Sequence, residues 1–156
     1  MIKAVNGKKI ILFLKSIALT LAIGGLSALL TRNSNEFYNA LLLPPFAPPS
    51  YVFPIVWTIL YILLGVAFYL ARPLENKASW IFYLLLASLF LWPVIFFKFK
   101  QIGFSAVWII LCLVLSVLTT LKFYEKNKKA GYLVIPLNIW IAFASVLNIA
   151  IYFMNR

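Results

Sequence analysis

Apolar residues occur in five long runs along the chain, and polar residues lie mostly in the segments between them. At ~1.5 Å of rise per residue, about 20 helical residues cross the ~30 Å hydrocarbon core of a bilayer. Runs of this length cross lipid as helices, because lipid offers no partner to open backbone groups. We therefore predict an all-α integral membrane protein: one domain over residues 1–156, folded as a bundle of five transmembrane helices. The predicted helices are residues 10–30, 51–71, 79–97, 104–123 and 132–153.

One connection, residues 31–50, is much longer than the others. It includes residues 44–49, which read PPFAPP. Proline fixes φ and has no N–H to donate, so we expect a stiff, extended lid loop and no helix in this connection. A further proline, Pro93, lies well inside the third run, where it predicts a kink.

Composition agrees with a lipid environment, since 65% of the residues are apolar and only 11% are charged. A soluble domain usually carries about a quarter of charged residues. The net charge of +11 would suggest a nucleic-acid ligand in a soluble protein. Here the basic residues lie between apolar runs, so we interpret them as an orientation signal with some attraction to anionic lipid. We expect no nucleic-acid partner.

Lysine and arginine are distributed unequally between the two predicted faces of the membrane. One face has nine of them: Lys3, Lys8, Lys9, Arg72, Lys77, Lys122, Lys126, Lys128 and Lys129. The face with the lid loop has four: Arg32, Lys98, Lys100 and Arg156. Because cytoplasmic loops carry the excess of positive charge, the N-terminus is predicted to be cytoplasmic and the lid loop external.

Histidine is absent, and the carboxylates lie outside the predicted helices. The chain has no histidine, which excludes a His-ligated haem and a Ser-His triad. Its single cysteine, Cys112, lies in an apolar run, and its three carboxylates, Glu36, Glu75 and Glu125, all fall in connections. An intramembrane proton relay or a pair of catalytic carboxylates is therefore not expected. We predict no catalytic residue, no bound metal and no cofactor.

Aromatic residues form the main candidate site. Trp57 and Tyr61 are one helical turn apart and share a face of the second run, while Trp140, Ala144 and Asn148 share a face of the fifth. A large ring, a small residue and an amide are a plausible wall for a ligand pocket. The alternatives are plain helix packing for the tryptophans and an interhelical hydrogen bond for Asn148.

These residues also belong to a recognisable pattern. Residues 38–70 read YNALLLPPFAPPSYVFPIVWTILYILLGVAFYL and resemble the signature of the translocator protein family, also called tryptophan-rich sensory proteins or peripheral-type benzodiazepine receptors. Residues 140–148, WIAFASVLN, resemble the W-x-x-F-A-x-x-L-N segment of that family. The resemblance covers nearly the whole chain. It departs in the third run, where Leu89 stands in place of the asparagine of the family and Pro93 is displaced by one position.

The resemblance implies a five-helix bundle, often dimeric, with a ligand cavity closed by the first loop. Members of the family bind porphyrins, sterols and benzodiazepine-type drugs. Some bacterial members are reported to promote light-dependent breakdown of protoporphyrin, in which the tryptophans that match Trp57 and Trp140 are implicated. The candidate ligand-binding residues are Tyr38, Pro48, Trp57, Tyr61, Trp92, Trp140, Ala144 and Asn148.

We therefore expect a binding protein, carrier or sensor for tetrapyrroles such as protoporphyrin IX and for other flat hydrophobic ligands. The expected partners are this small molecule, the lipid bilayer and, in a homodimer, a second copy of the chain. The expected location is a bacterial cell membrane, crossed several times. Two alternatives remain: a light-dependent enzyme that degrades porphyrin, and a structural membrane protein without a cavity ligand.

Overall fold

Five long helices dominate the structure, a computed structural model that describes residues 7–71 and 79–156. The elements are α1 Gly7–Leu30, α2 Ser34–Ala40, α3 Val52–Ala71, α4 Ser79–Pro93 continued by a π-helical turn Val94–Lys98, α5 Ile102–Lys126 and α6 Lys128–Met154. Within this part of the chain, α1, α3, α5, α6 and the α4 segment with its π-helical turn are long and apolar enough to cross a membrane. The predicted all-α fold with five transmembrane helices is confirmed.

The five long helices pack side by side in a closed ring. Going round it, α1 contacts α3, α3 contacts α6, α6 contacts α5, α5 contacts α4, and α4 returns to α1. Side chains such as Leu64, Phe82 and Ile141 fill the interior and are almost fully buried. Equally apolar residues such as Leu29 and Ile139 point outwards. An apolar exterior of this kind suits lipid as the surrounding solvent.

Small and hydroxylated residues bring α1 and α3 into close contact. A Cβ added to Gly65 would lie 2.7 Å from the Cα of Ile17, so only glycine permits this approach. Beside it, the Thr20 hydroxyl donates a hydrogen bond of 2.7 Å to the backbone carbonyl of Tyr61. Membrane helices commonly associate in this way, through small residues and polar bonds.

The lid loop is not extended throughout, and the expectation that it contains no helix is wrong for Ser34–Ala40, which forms α2. This stretch contains no proline, and Glu36 in its first turn interacts favourably with the positive end of the helix dipole. The prolines begin at Pro44, and from Leu41 onwards the chain stays non-helical as far as Ser50.

Pro93 changes the type of helix at its position. The α-helix gives way to the π-helical turn Val94–Lys98, after which the N–H of Phe99 donates to the carbonyl of Val94 at 2.9 Å. Lys100 then adopts a φ of 55°, in the left-handed region. Pro93 therefore marks a local change in winding, and the chain continues from there into α5.

Helices that alternate in direction place α2 and the π-helical turn at one end of the bundle and the α5–α6 connection at the other. The cations of the two predicted faces are separated accordingly, with Arg32, Lys98 and Lys100 at the α2 end. Lys3, Arg72 and Lys77, which entered the charge count, lie outside the described residues, as does Glu75.

Candidate functional site

A cavity of about 270 Å³ opens between α1, α3 and α4 at the end that carries α2. Four of the candidate residues line it together: Tyr38, Trp57, Tyr61 and Trp92. Phe53, Leu89 and Phe97 complete its apolar wall, and Ser34, Asn35 and Arg32 stand near its mouth. The cavity thus combines an aromatic interior with a polar rim.

Three rings form one tilted, nearly continuous wall of this cavity. The ring centroids of Trp57 and Tyr61 lie 5.7 Å apart with 33° between their planes. Those of Trp57 and Trp92 lie 6.3 Å apart with 35° between the planes. Leu89, which is buried, adds an apolar side chain to the same cavity. Such a wall presents aromatic faces, which favour contact with a flat unsaturated ligand.

Tyr38 connects α2 to the proline-rich segment. Its side chain is buried, and its hydroxyl donates a 3.1 Å hydrogen bond to the backbone carbonyl of Pro48. Burial raises the pKa of Tyr38 above its usual value, so the phenol remains a neutral donor at physiological pH. Pro48 itself is not among the residues that line the cavity. Its role in the structure is to anchor Tyr38 by its carbonyl oxygen.

Trp140, Ala144 and Asn148 do not line this cavity. Ala144 and Asn148 line a gap of about 10 Å³, which has room for about one water molecule. Trp140 lines neither space. Phe53 lines both spaces, as do Tyr38, Trp92 and Phe97, and its ring centroid is 6.1 Å from that of Trp140. The indole N–H of Trp140 is buried and has no hydrogen-bond acceptor among the described residues.

Asn148 joins three elements through hydrogen bonds. With the amide oriented so that each atom meets a complementary group, its oxygen accepts from Trp92 Nε1 at 3.1 Å. Its nitrogen donates to the carbonyl of Ile102 at 3.1 Å. Ser105 Oγ also lies within hydrogen-bond distance, 3.1 Å from the amide oxygen and 3.3 Å from the amide nitrogen. The side chain of Asn148 is 2% exposed. The interhelical alternative for Asn148 therefore describes this structure, and the amide acts on the cavity by fixing the ring of Trp92.

Residues 16–154 match the sequence profile of the TspO/MBR family. The chain belongs to the TspO/MBR family. It is 33% identical over 145 residues to the tryptophan-rich protein TspO of Archaeoglobus fulgidus, covering 90% of this chain and 94% of that protein. It is 34% identical over 157 residues to the protein of the same name from Chlorobaculum tepidum, covering 95% and 98%. The human translocator protein is 31% identical over 128 residues, covering 78% and 76%.

In this TspO/MBR protein a second, polar cleft adjoins the aromatic cavity. It measures about 550 Å³ and is lined by Arg32, Glu36, Lys98 and Lys100, with Phe37 beside them. Sequence reasoning placed the three cations on one face of the membrane. Their convergence on one cleft depends on α2 and on the π-helical turn, neither of which was predicted.

A side chain near the end of the chain holds the lid in place, and sequence reasoning missed it. The N–H of Leu42 donates to Oδ1 of Asn155 at 2.9 Å, and Nδ2 of Asn155 donates back to the carbonyl of Leu42 at 2.9 Å. Asn155 thus pairs with the loop backbone as a neighbouring strand would. The two residues are 113 positions apart, and no local pattern indicates such a contact.

Proposed function

We propose that this TspO/MBR protein binds tetrapyrroles such as protoporphyrin IX, together with other flat hydrophobic ligands including sterols and benzodiazepine-type drugs. The observation that carries the proposal is the aromatic wall of Trp57, Tyr61 and Trp92 beside an open cavity. Relatives named tryptophan-rich sensory protein and translocator protein favour a sensor or a carrier over an enzyme. Stacking and apolar contact would supply most of the affinity, since burial of a large ring is the dominant favourable term.

The size of the cavity defines how such a ligand would lie. Sites for drug-sized ligands usually measure about 300–1,000 Å³, so a cavity of about 270 Å³ encloses part of a macrocycle. The rest would extend into the adjoining cleft. A rotation of Phe53 would extend the cavity towards Trp140, whose indole N–H could then donate to an acceptor on the ligand. By this route Trp140 would complete the site that the sequence predicted.

The proposal includes an orientation. The N-terminus would face the cytoplasm of a bacterial cell and α2 would face outwards, because the positive charges gather at the opposite end. The mouth of the cavity, beside Arg32 and Ser34, would then receive its ligand from the external side.

Titration of the purified protein in neutral detergent with protoporphyrin IX, followed by porphyrin absorbance, tests this function. Trp57→Leu should weaken binding about tenfold, because it removes the central ring of the wall. The matched control is Trp80→Leu, since Trp80 is 59% exposed and lies at the far end of α4. The control should bind like the wild type. Equal affinity for both variants, or no saturable binding by the wild type, would contradict the proposal.

A second function, light-dependent breakdown of porphyrin, is favoured by one observation. Two oxidisable indoles, those of Trp57 and Trp92, lie side by side on the cavity wall. Illumination of the complex followed by product analysis separates the two functions. A binding protein returns the porphyrin unchanged, whereas a degrading enzyme yields an open-chain product with a different spectrum.

A further inference from the structure

The polar cleft beside the cavity carries more positive than negative charge. Arg32, Lys98 and Lys100 line it with a single carboxylate, that of Glu36. Over residues 7–71 and 79–156, the one ion pair within 4.0 Å joins Lys122 to Glu125 at the opposite end of the bundle. Glu36 therefore does not neutralise any of the three cations directly, and the cleft keeps a positive potential.

Two of these cations, Lys98 and Lys100, are positioned by segments of irregular backbone. Lys98 ends the π-helical turn and Lys100 follows with a φ of 55°. Short π-helical turns occur often at functional sites, and a residue other than glycine stays in the left-handed region only where its surroundings hold it there. The ammonium of Lys100 lies 5.4 Å from the centroid of the Phe37 ring, on α2. It is thereby held over the cleft by a cation–π contact.

The cleft and the aromatic cavity adjoin each other. Both are lined by Thr31, Arg32, Ser34 and Phe97. A flat ligand that stacks on Trp57 and extends past this shared wall would bring its other edge to the three cations. The combined space has an apolar aromatic end and a basic end, which corresponds to a ring that carries acidic groups along one side.

We propose that the cleft formed by Arg32, Lys98 and Lys100 is an anion subsite that binds the carboxylate groups of the ligand. This inference rests on the proposed function and narrows it, because the site then selects flat ligands with acidic groups at one edge over neutral ones. Attraction between charges in a partly exposed cleft is moderate and is screened by salt. The subsite therefore governs selectivity more than total affinity.

The test compares protoporphyrin IX with its dimethyl ester, which has the same ring but no carboxylates. Binding of each to the full chain in neutral detergent is measured for the wild type and for the double variant Lys98→Gln, Lys100→Gln. The variant should lose about five- to tenfold in affinity for the dicarboxylate and stay within about twofold for the ester. A rise in salt concentration of about tenfold should weaken only the dicarboxylate.

The matched control is Lys126→Gln, Lys128→Gln, which removes two charges at the opposite end of the bundle. It should bind both porphyrins like the wild type. Equal losses for acid and ester, or equal losses in both double variants, would overturn the anion subsite while leaving porphyrin binding intact. Failure of the wild type to bind either compound would overturn the proposed function and the subsite with it.

Discussion

At the scale of single residues, the hydrogen bond between Trp92 and Asn148 determines how one wall of the cavity is oriented. Trp92 contributes its ring to the cavity and its Nε1 to the oxygen of Asn148, 3.1 Å away. Both side chains are buried, Trp92 at 6% exposure and Asn148 at 2%. Loss of Asn148 leaves Trp92 Nε1 without its acceptor, which usually costs about 1–3 kcal/mol, whereas loss of Trp92 leaves the Asn148 oxygen still bonded to Ser105.

A double-mutant cycle on Trp92→Phe and Asn148→Leu measures this bond. Both changes keep most of the apolar volume, so the coupling free energy reports the hydrogen bond. We expect a coupling of about 0.6–1.7 kcal/mol in unfolding experiments in detergent, between the average and the largest value measured for such bonds between membrane helices. In the control cycle Trp108→Phe replaces Trp92→Phe, because Trp108 Nε1 donates to the backbone carbonyl of Ser88 and not to Asn148. That cycle should be additive, and coupling of the same size in both would argue against the assigned bond.

Among these residues, the sequence predicted contacts between positions one helical turn apart and missed contacts between distant segments. Trp57 and Tyr61 were expected on one face because four residues make about one helical turn, and they do line one cavity. The same rule grouped Trp140 with Ala144, yet Trp140 packs against Phe53 and does not itself line the cavity, which no periodicity shows. The pairing of Asn155 with Leu42 was beyond reach for the same reason.

At the scale of elements, the contact between α1 and α3 is fixed by Gly65. The two helices form one side of the cavity, to which α1 contributes Gly24 and Ser27 and α3 contributes Trp57 and Tyr61. A Cβ at Gly65 would lie 2.7 Å from the Cα of Ile17. A backbone atom, unlike the end of a flexible side chain, cannot move aside. The helices would have to separate.

Gly65→Ala should therefore destabilise the bundle by about 1–3 kcal/mol, the usual cost of overpacking. Gly25→Ala is the matched control, because a Cβ at Gly25 meets no atom within 4 Å. The control should leave stability unchanged or raise it by up to ~1 kcal/mol, since alanine is the better helix former. Thermal unfolding followed by circular dichroism in one detergent compares the two. Identical unfolding temperatures would show that the approach of α1 to α3 is not limited by Gly65.

The long helices could be predicted from the length of the apolar runs. The structure of the lid and of the segment after Pro93 could be predicted less well from the positions of prolines. Five runs of about 20 apolar residues can form little else in a bilayer. The lid was expected to be extended because of its prolines, but these begin at Pro44 and do not restrict Ser34–Ala40. Pro93 did mark an irregularity, yet the π-helical form that places Lys98 could not be inferred from one proline.

At the scale of the whole molecule, the order of helices around the ring was not readable from the sequence. In lipid the outer surface is as apolar as the core, so the helical faces differ little in composition. Ile139 is exposed and Ile141 is fully buried, although both are isoleucines of the same helix. The polar positions carry more information. Thr20, Ser105 and Asn148 all face neighbouring helices and are all buried.

Charge, in contrast, predicts how the whole bundle is oriented, and the structure offers two exposed positions at which to test it. Glu36 lies on α2 and Lys126 ends α5, at opposite ends of the bundle. In intact cells, a membrane-impermeant maleimide should label Glu36→Cys and should not label Lys126→Cys. The native Cys112 is fully buried, so the parent chain is the unlabelled control. After the membrane is permeabilised, both variants should react. The reverse pattern in intact cells would mean that the N-terminus is external, and the anion subsite of Arg32, Lys98 and Lys100 would then take its ligand from the cytoplasm.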